Sequence, residues 1–246
     1  MRKILLMIFS LLLTAPIFAS EQSDLLQAMA EFDKNYIPGL ALTNQGKQSQ
    51  SVRAIRRLRT DWAQFKISYQ DGYGADSQDW QQDVQAIEVQ ITKAQNQINM
   101  KELAEAHESL ERVRYIFLDM RQRNGIEYYM DYLTGFHEPM EEIVILAAHA
   151  ENRNPESVKL DILKLMEPLL SSWNDVINAE PPFELFDVPE QKRTLIREFI
   201  KDETEALSQL ESALQHKGVP DIVNAAKRIK PPFVRLYLSF GNFEGV

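Results

Sequence analysis

Cysteine is absent from all 246 residues. Without a thiol the chain can form no disulfide, thiolate zinc site, iron–sulfur cluster or thioether-linked haem, and it has no cysteine nucleophile. Its stability must come from packing. Glycine is sparse, at nine residues, and no glycine-rich phosphate loop occurs. Neither Gly-x-Ser-x-Gly nor Ser-x-x-Lys is present, so the common serine-nucleophile signatures are missing. Basic charge is also short. Lys and Arg number 27 against 36 Asp and Glu, for a net charge of −9. Nucleic-acid binding needs a basic footprint, and this composition argues against it.

The one long apolar run lies at the start, MRKILLMIFSLLLTAPIFAS. Arg2 and Lys3 precede an apolar core from Ile4 to Leu13, and small residues follow. This pattern is that of a secretory signal peptide, residues 1–19, cleaved after Ala19. The run is too short, and its sequel too polar, to remain as a membrane span. Loss of Arg2 and Lys3 would lower the basic count from 27 to 25 and bring the net charge from −9 to −11. A periplasmic protein is expected, with about 227 residues left to bury a core.

That remainder reads as all-α. Apolar residues recur at steps of three and four, the spacing of one helical face. Val52, Ile55, Leu58, Trp62 and Phe65 form one stripe, and Ile87, Ile91, Ala94 and Ile98 another. Leu103, Ala106, Leu110, Val113, Phe117 and Met120 form a third. A fourth runs from Ile126 through Leu133, Phe136, Met140 and Ile143 to Ala150. Breaks are expected at 71–79, 151–157, 180–190 and 216–220, where Gly, Pro, Asp and Asn gather. Asn124-Gly125 reads as a tight turn between two helices.

Two halves share a pattern. Leu58 and Trp62 match Leu169 and Trp173, while Ile91, Ala94 and Ile98 match Leu207, Leu210 and Leu214. Two tandem four-helix bundles, residues 20–124 and 125–246, are therefore expected, built by internal duplication.

Two of the four histidines fall in one motif, His-Glu-x-x-Glu, at His107-Glu111 and His137-Glu141. At i and i+4 the His and second Glu share a helix face. If helices 101–124 and 126–150 form an antiparallel hairpin turning at Asn124-Gly125, residues at one level have numbers of constant sum. His107 then faces Glu141, and Glu111 faces His137. Counted in heptads, both pairs flank the seam on the equivalent side. Two His and two Glu between bundle helices suit Fe, Zn or Mn. Arg114, on the same stripe, is expected to neutralise Glu111 or Glu141, or to hold an anionic ligand beside the metal. Ordinary i,i+4 ion pairing explains the same spacing without a metal. Pro139 removes one helical hydrogen bond, and Gly135 eases the clash, so a kinked but continuous helix is expected. Met140 beside His137 would allow a non-covalent haem, although its heptad position makes it core filler.

The leader, the double helical bundle, the HEPME stretch and the GFH run at 135–137 together resemble the imelysin-like periplasmic proteins. That resemblance implies two four-helix bundles with a metal site near their junction. Of the two motifs it favours His137 and Glu141, although Met140 stands where the family pattern has its Glu. The expected function is binding of a transition metal for uptake, storage or delivery. The competing readings are a metal-free module that docks an envelope partner, and a metal-dependent hydrolase. No residue is assigned a catalytic role.

Overall fold

Each apolar stripe lies on a helix, apart from the end residues Ile126 and Ala150 of the fourth, with most of its apolar side chains turned inward. The computed structural model describes residues 15–73 and 78–246, with side chains from Glu21 onward. Most of the expected leader lies outside these residues. No helix among the described residues is long and apolar enough to cross a membrane. The fold is all-α. The helices are α1 (Ala15–Asn44), α2 (Gln48–Tyr69), α3 (Gln78–Met100), α4 (Leu103–Arg123) and α5 (Tyr129–Ala148). After them come α6 (Pro155–Asn178), α7 (Glu190–His216), α8 (Val219–Arg228) and α9 (Lys230–Leu238).

α1 packs on α2 and α4, and α3 on α4 and α2. Further along, α5 packs on α6 and α8, and α7 on α6, α8 and α9. The two groups meet where α9 reaches α1 and where α5 reaches α4. In the first group Phe32, Trp62, Phe65 and Phe117 form an aromatic cluster with ring centroids 5.0–6.0 Å apart. In the second, Phe136 packs on Trp173 at 4.8 Å and on Phe233 at 5.4 Å.

The two matched tryptophans make equivalent bonds. Trp62 Nε1 donates to Glu88 Oε2 at 2.7 Å, and Trp173 Nε1 donates to Thr204 Oγ1 at 3.0 Å. The alignment that sets Ile91 on Leu207 also sets Glu88 on Thr204. In each case an indole N–H that burial would orphan is satisfied by the following helix.

Two expectations about chain path are corrected. The turn at Asn124-Gly125 does not lead straight into a helix. Gly125 has φ +64, and its N–H donates to Gln122 while that of Ile126 donates to Arg121, closing α4 with a Schellman motif. The chain then extends through Tyr128, and α5 begins at Tyr129 rather than Ile126. Burial of Ile126 and Tyr128 holds this connector open. The last expected helix is also divided, into α8 and α9. Pro231 and Pro232 have no N–H to give to the carbonyls of Lys227 and Arg228, so the helix breaks at Ile229. Pro139, in contrast, sits inside an unbroken α5.

Candidate functional site

Both His-Glu motifs and Arg114 line one cavity of about 420 Å³. It lies where the two helical groups meet. α4 supplies His107, Glu111 and Arg114, and α5 supplies His137, Met140 and Glu141. The other walls come from Leu40, Ala41 and Asn44 on α1, from Gln45 just after it, and from Lys230, Phe233, Val234, Tyr237 and Leu238 on α9. Its size suits a small ligand.

His107 is held by its backbone surroundings. Its Nδ1 lies 3.1 Å from the carbonyl oxygen of Leu40. A carbonyl only accepts, so Nδ1 carries the proton and the neutral ring has its lone pair on Nε2. That Nε2 stands 3.6 Å from Glu111 Oε1. With His107 neutral, two electron-rich atoms face one another with no proton between them.

Arg114 ties the two motifs together. Its Nη2 donates to Glu111 Oε2 and, at 3.1 Å, to Nδ1 of His137. Guanidinium has no acceptor, so His137 accepts at Nδ1, and its neutral ring carries the proton on Nε2. Burial pushes the His137 pKa down to about 3, with the positive charges of Arg114 and Lys230 acting in the same direction. His137 is therefore neutral at physiological pH. Arg114 itself is only 5 % exposed, between the rings of Tyr115 and Tyr237, and its Nε has no acceptor among the described residues.

Glu141 is paired with Lys230. The ammonium Nζ lies 2.8 Å from Oε1 and 2.6 Å from Oε2. The angles allow a hydrogen bond only to Oε1, and Oε2 has no donor among the described residues. Neither direct pair of the hairpin register is formed: Arg114 bridges Glu111 and His137, while Glu141 is held by Lys230 and His107 by Leu40 and Glu111. α4 and α5 touch only sparsely, and α9 supplies the bridge to Glu141. Among the described residues, no three His, Asp or Glu side chains are grouped as they stand to hold a metal ion. Arg114 holds the carboxylate of Glu111, and Lys230 that of Glu141.

A second polar cluster lies deeper along α4. Arg121 grips Asp131 with two nitrogens, Nε donating to Oδ2 at 2.8 Å. The hydroxyl of Tyr128 donates to Asp33 at 2.7 Å, and the Arg121 guanidinium lies 4.6 Å from the Tyr128 ring centroid. Burial raises Asp33 to about 6, against the attraction of Arg121. Arg114 and Arg121 share the small gap between this cluster and the main cavity.

Sequence reasoning missed Lys230, Phe233, Tyr237, Asp33 and Asp131. For Lys230 there was a faint signal, a lysine directly before a Pro-Pro helix break. No local pattern points from Leu40 to His107.

The chain matches no protein-family model, no curated protein and no solved structure at a significant level.

Proposed function

We propose that this is an exported envelope protein that binds a transition metal ion in the cavity between its two helical groups. The observation that carries the reading is His107. A ligating imidazole characteristically gives its second N–H to a backbone carbonyl or carboxylate, which fixes the tautomer and aims the other nitrogen at the metal. His107 is anchored in that way on Leu40, with Nε2 3.6 Å from a carboxylate oxygen of Glu111. Ligands about 2.1 Å from a common metal stand roughly 3–3.5 Å apart, so this pair needs little adjustment to chelate.

His137 and Glu141 line the same cavity and complete a donor set of two imidazoles and two carboxylates. His137 is neutral well below physiological pH, so no proton competes with a metal there. Its Nδ1 lone pair and the two carboxylates are held by Arg114 and Lys230, which must be displaced for the full set to ligate. Such a donor set suits Zn, Fe or Mn. The signal-peptide pattern at residues 1–19 supports export. The matching Trp62–Glu88 and Trp173–Thr204 bonds support descent of the two helical groups from one duplicated unit.

The test is elemental mass spectrometry of the full chain, purified without a polyhistidine tag and reconstituted with Zn²⁺, Fe²⁺ or Mn²⁺. About one equivalent should be retained by the wild type, and none by a His107→Ala/His137→Ala variant that keeps its helical circular dichroism. A wild type that retains none of these metals would overturn the reading.

A further inference from the structure

The cavity between the two helical groups keeps hydrogen-bonding capacity that its internal pairs do not use. Glu111 is paired with Arg114 through Oε2, and Glu141 with Lys230. With both imidazoles neutral, these four charges cancel. Leu40, Met140, Phe233, Val234 and Leu238 form the apolar part of the wall. An occupant of net charge would lose its water there without full compensation, so one of no net charge is favoured.

The unused groups are of both kinds. With the His107 ring neutral, its Nε2 and Oε1 of Glu111 are two acceptors 3.6 Å apart with no donor between them. Acceptors at that separation both come within reach of one ammonium nitrogen, about 2.8–3.0 Å from each. On the donor side, Nε of Arg114 is buried and has no acceptor among the described residues. Arg114 is 5 % exposed, with two tyrosine ring centroids 5.4 and 5.9 Å from its guanidinium carbon. Glu111 and Arg114 are bonded to each other one helical turn apart, so the unused acceptor and the unused donor belong to neighbouring opposite charges. The complement of such a pair is a ligand whose ammonium and carboxylate are equally close together.

We propose that the cavity binds a free α-amino acid with an apolar side chain. The ligand ammonium donates to His107 and Glu111, its carboxylate accepts from Arg114, and its side chain lies against the apolar wall. An α-amino acid carries both charges on one carbon and has no net charge at neutral pH, so it leaves the balance of the cavity unchanged. No ion pair has to break, because Arg114 keeps Oε2 of Glu111 and Lys230 keeps Glu141. A space of about 420 Å³ suits a ligand of this size. The inference goes beyond the metal-binding reading and does not rest on it. A metal ion on His107 and Glu111 would exclude the amino acid, so the test uses metal-free protein.

The experiment is calorimetric titration of L-leucine and of L-phenylalanine into the full chain, dialysed against EDTA and then into phosphate buffer. At least one should bind with a Kd of about 1 mM or tighter. Isocaproate and hydrocinnamate lack the ammonium of leucine and phenylalanine, and isoamylamine and phenethylamine lack the carboxylate. Each analogue should bind about tenfold more weakly than its amino acid, or worse. Val234→Trp, which narrows the cavity, should lose binding while keeping its helical circular dichroism. His107→Ala should weaken binding about tenfold. No binding of either amino acid at about 10 mM overturns the proposal. An analogue that binds as tightly as its amino acid also overturns it, and makes the occupant a simple amine or a simple carboxylate. Unchanged binding by both variants places the ligand elsewhere and overturns it too.

Discussion

The backbone N–H of Asn242 donates to the carbonyl of Lys34 at 2.7 Å. That carbonyl is free because residue 38, four positions on in α1, is proline and has no N–H to return. Helix α1 thus carries a gap in its hydrogen-bond ladder, and the chain after α9 fills it. Arg57 continues the attachment by donating to the carbonyl of Glu244.

Gly241 is where this attachment is tightest. A Cβ there would stand 2.8 Å from Ile37 Cγ2 and 2.9 Å from Phe243 Cε2, too close for either carbon. Gly241→Ala should lower stability by about 1–3 kcal/mol in denaturant titration. Pro38→Ala, which restores a competing N–H in α1, should speed amide hydrogen exchange at Asn242. Unchanged exchange would mean that the gap does not hold the tail.

Arg121 is the sole guanidinium gripping Asp131 among the described residues, and both are largely buried, at 5 % and 12 % side-chain exposure. Arg121→Met leaves Asp131 without its cation and removes the charge facing Asp33. The expected loss is about 3–5 kcal/mol. Arg121→Met/Asp131→Asn should recover a large part of it. A double variant as unstable as the single one would show that packing against Phe117 and Tyr128, not charge, is what Arg121 contributes.

Glu203 is fully buried on α7, with Oε2 accepting from the N–H of Phe233 at 3.0 Å and Oε1 without a partner among the described residues. Burial raises its pKa from 4.5 to about 8, opposed by the Phe233 bond. Between those values the folded chain holds a proton that the unfolded chain releases. This group's stabilisation is therefore fully present below pH 4.5 and is lost as pH rises towards 8 and beyond. Glu203→Gln keeps an acceptor for Phe233 but cannot ionise. Its melting temperature should exceed that of the wild type at pH 8 and approach it near pH 5. Parallel profiles would place the ionisation elsewhere.

His137 acts in the opposite direction. Its pKa is lowered from 6.5 to about 3, so between those values the unfolded chain binds a proton that the folded chain refuses. The contribution to stability is present above pH 6.5 and is lost as pH falls towards 3. His137→Gln, which can still accept from Arg114, should flatten the stability profile over that range. Metal retention should show no proton competition from this residue at pH 6. A variant with an unchanged acid limb would overturn the assignment.

Much of the candidate site was legible in the chain. His107, Glu111, Arg114, His137 and Glu141 were chosen from spacing on two helices, and all five line one cavity. The positions that bury each helix could be read as well, because a 3.6-residue period is a local property: Ile87, Ile91, Ala94 and Ile98 are fully buried, as the stripe requires. The hairpin register was not legible. It assumed that α4 runs directly into α5, whereas Ile126 and Tyr128 bury themselves against distant residues and hold the connector extended.

The all-α class, most of the inward faces and several of the chain breaks follow from the sequence alone, since each depends on residues within a turn or two of one another. Only the tertiary structure decided what those residues meet. Leu40 reaches His107 from α1, and Lys230 reaches Glu141 from α9. These partners are far apart in the chain, and their approach depends on how whole helices pack. That packing also turned a row of expected ligands into a charge-balanced cavity, because a buried carboxylate takes the nearest cation that the fold supplies.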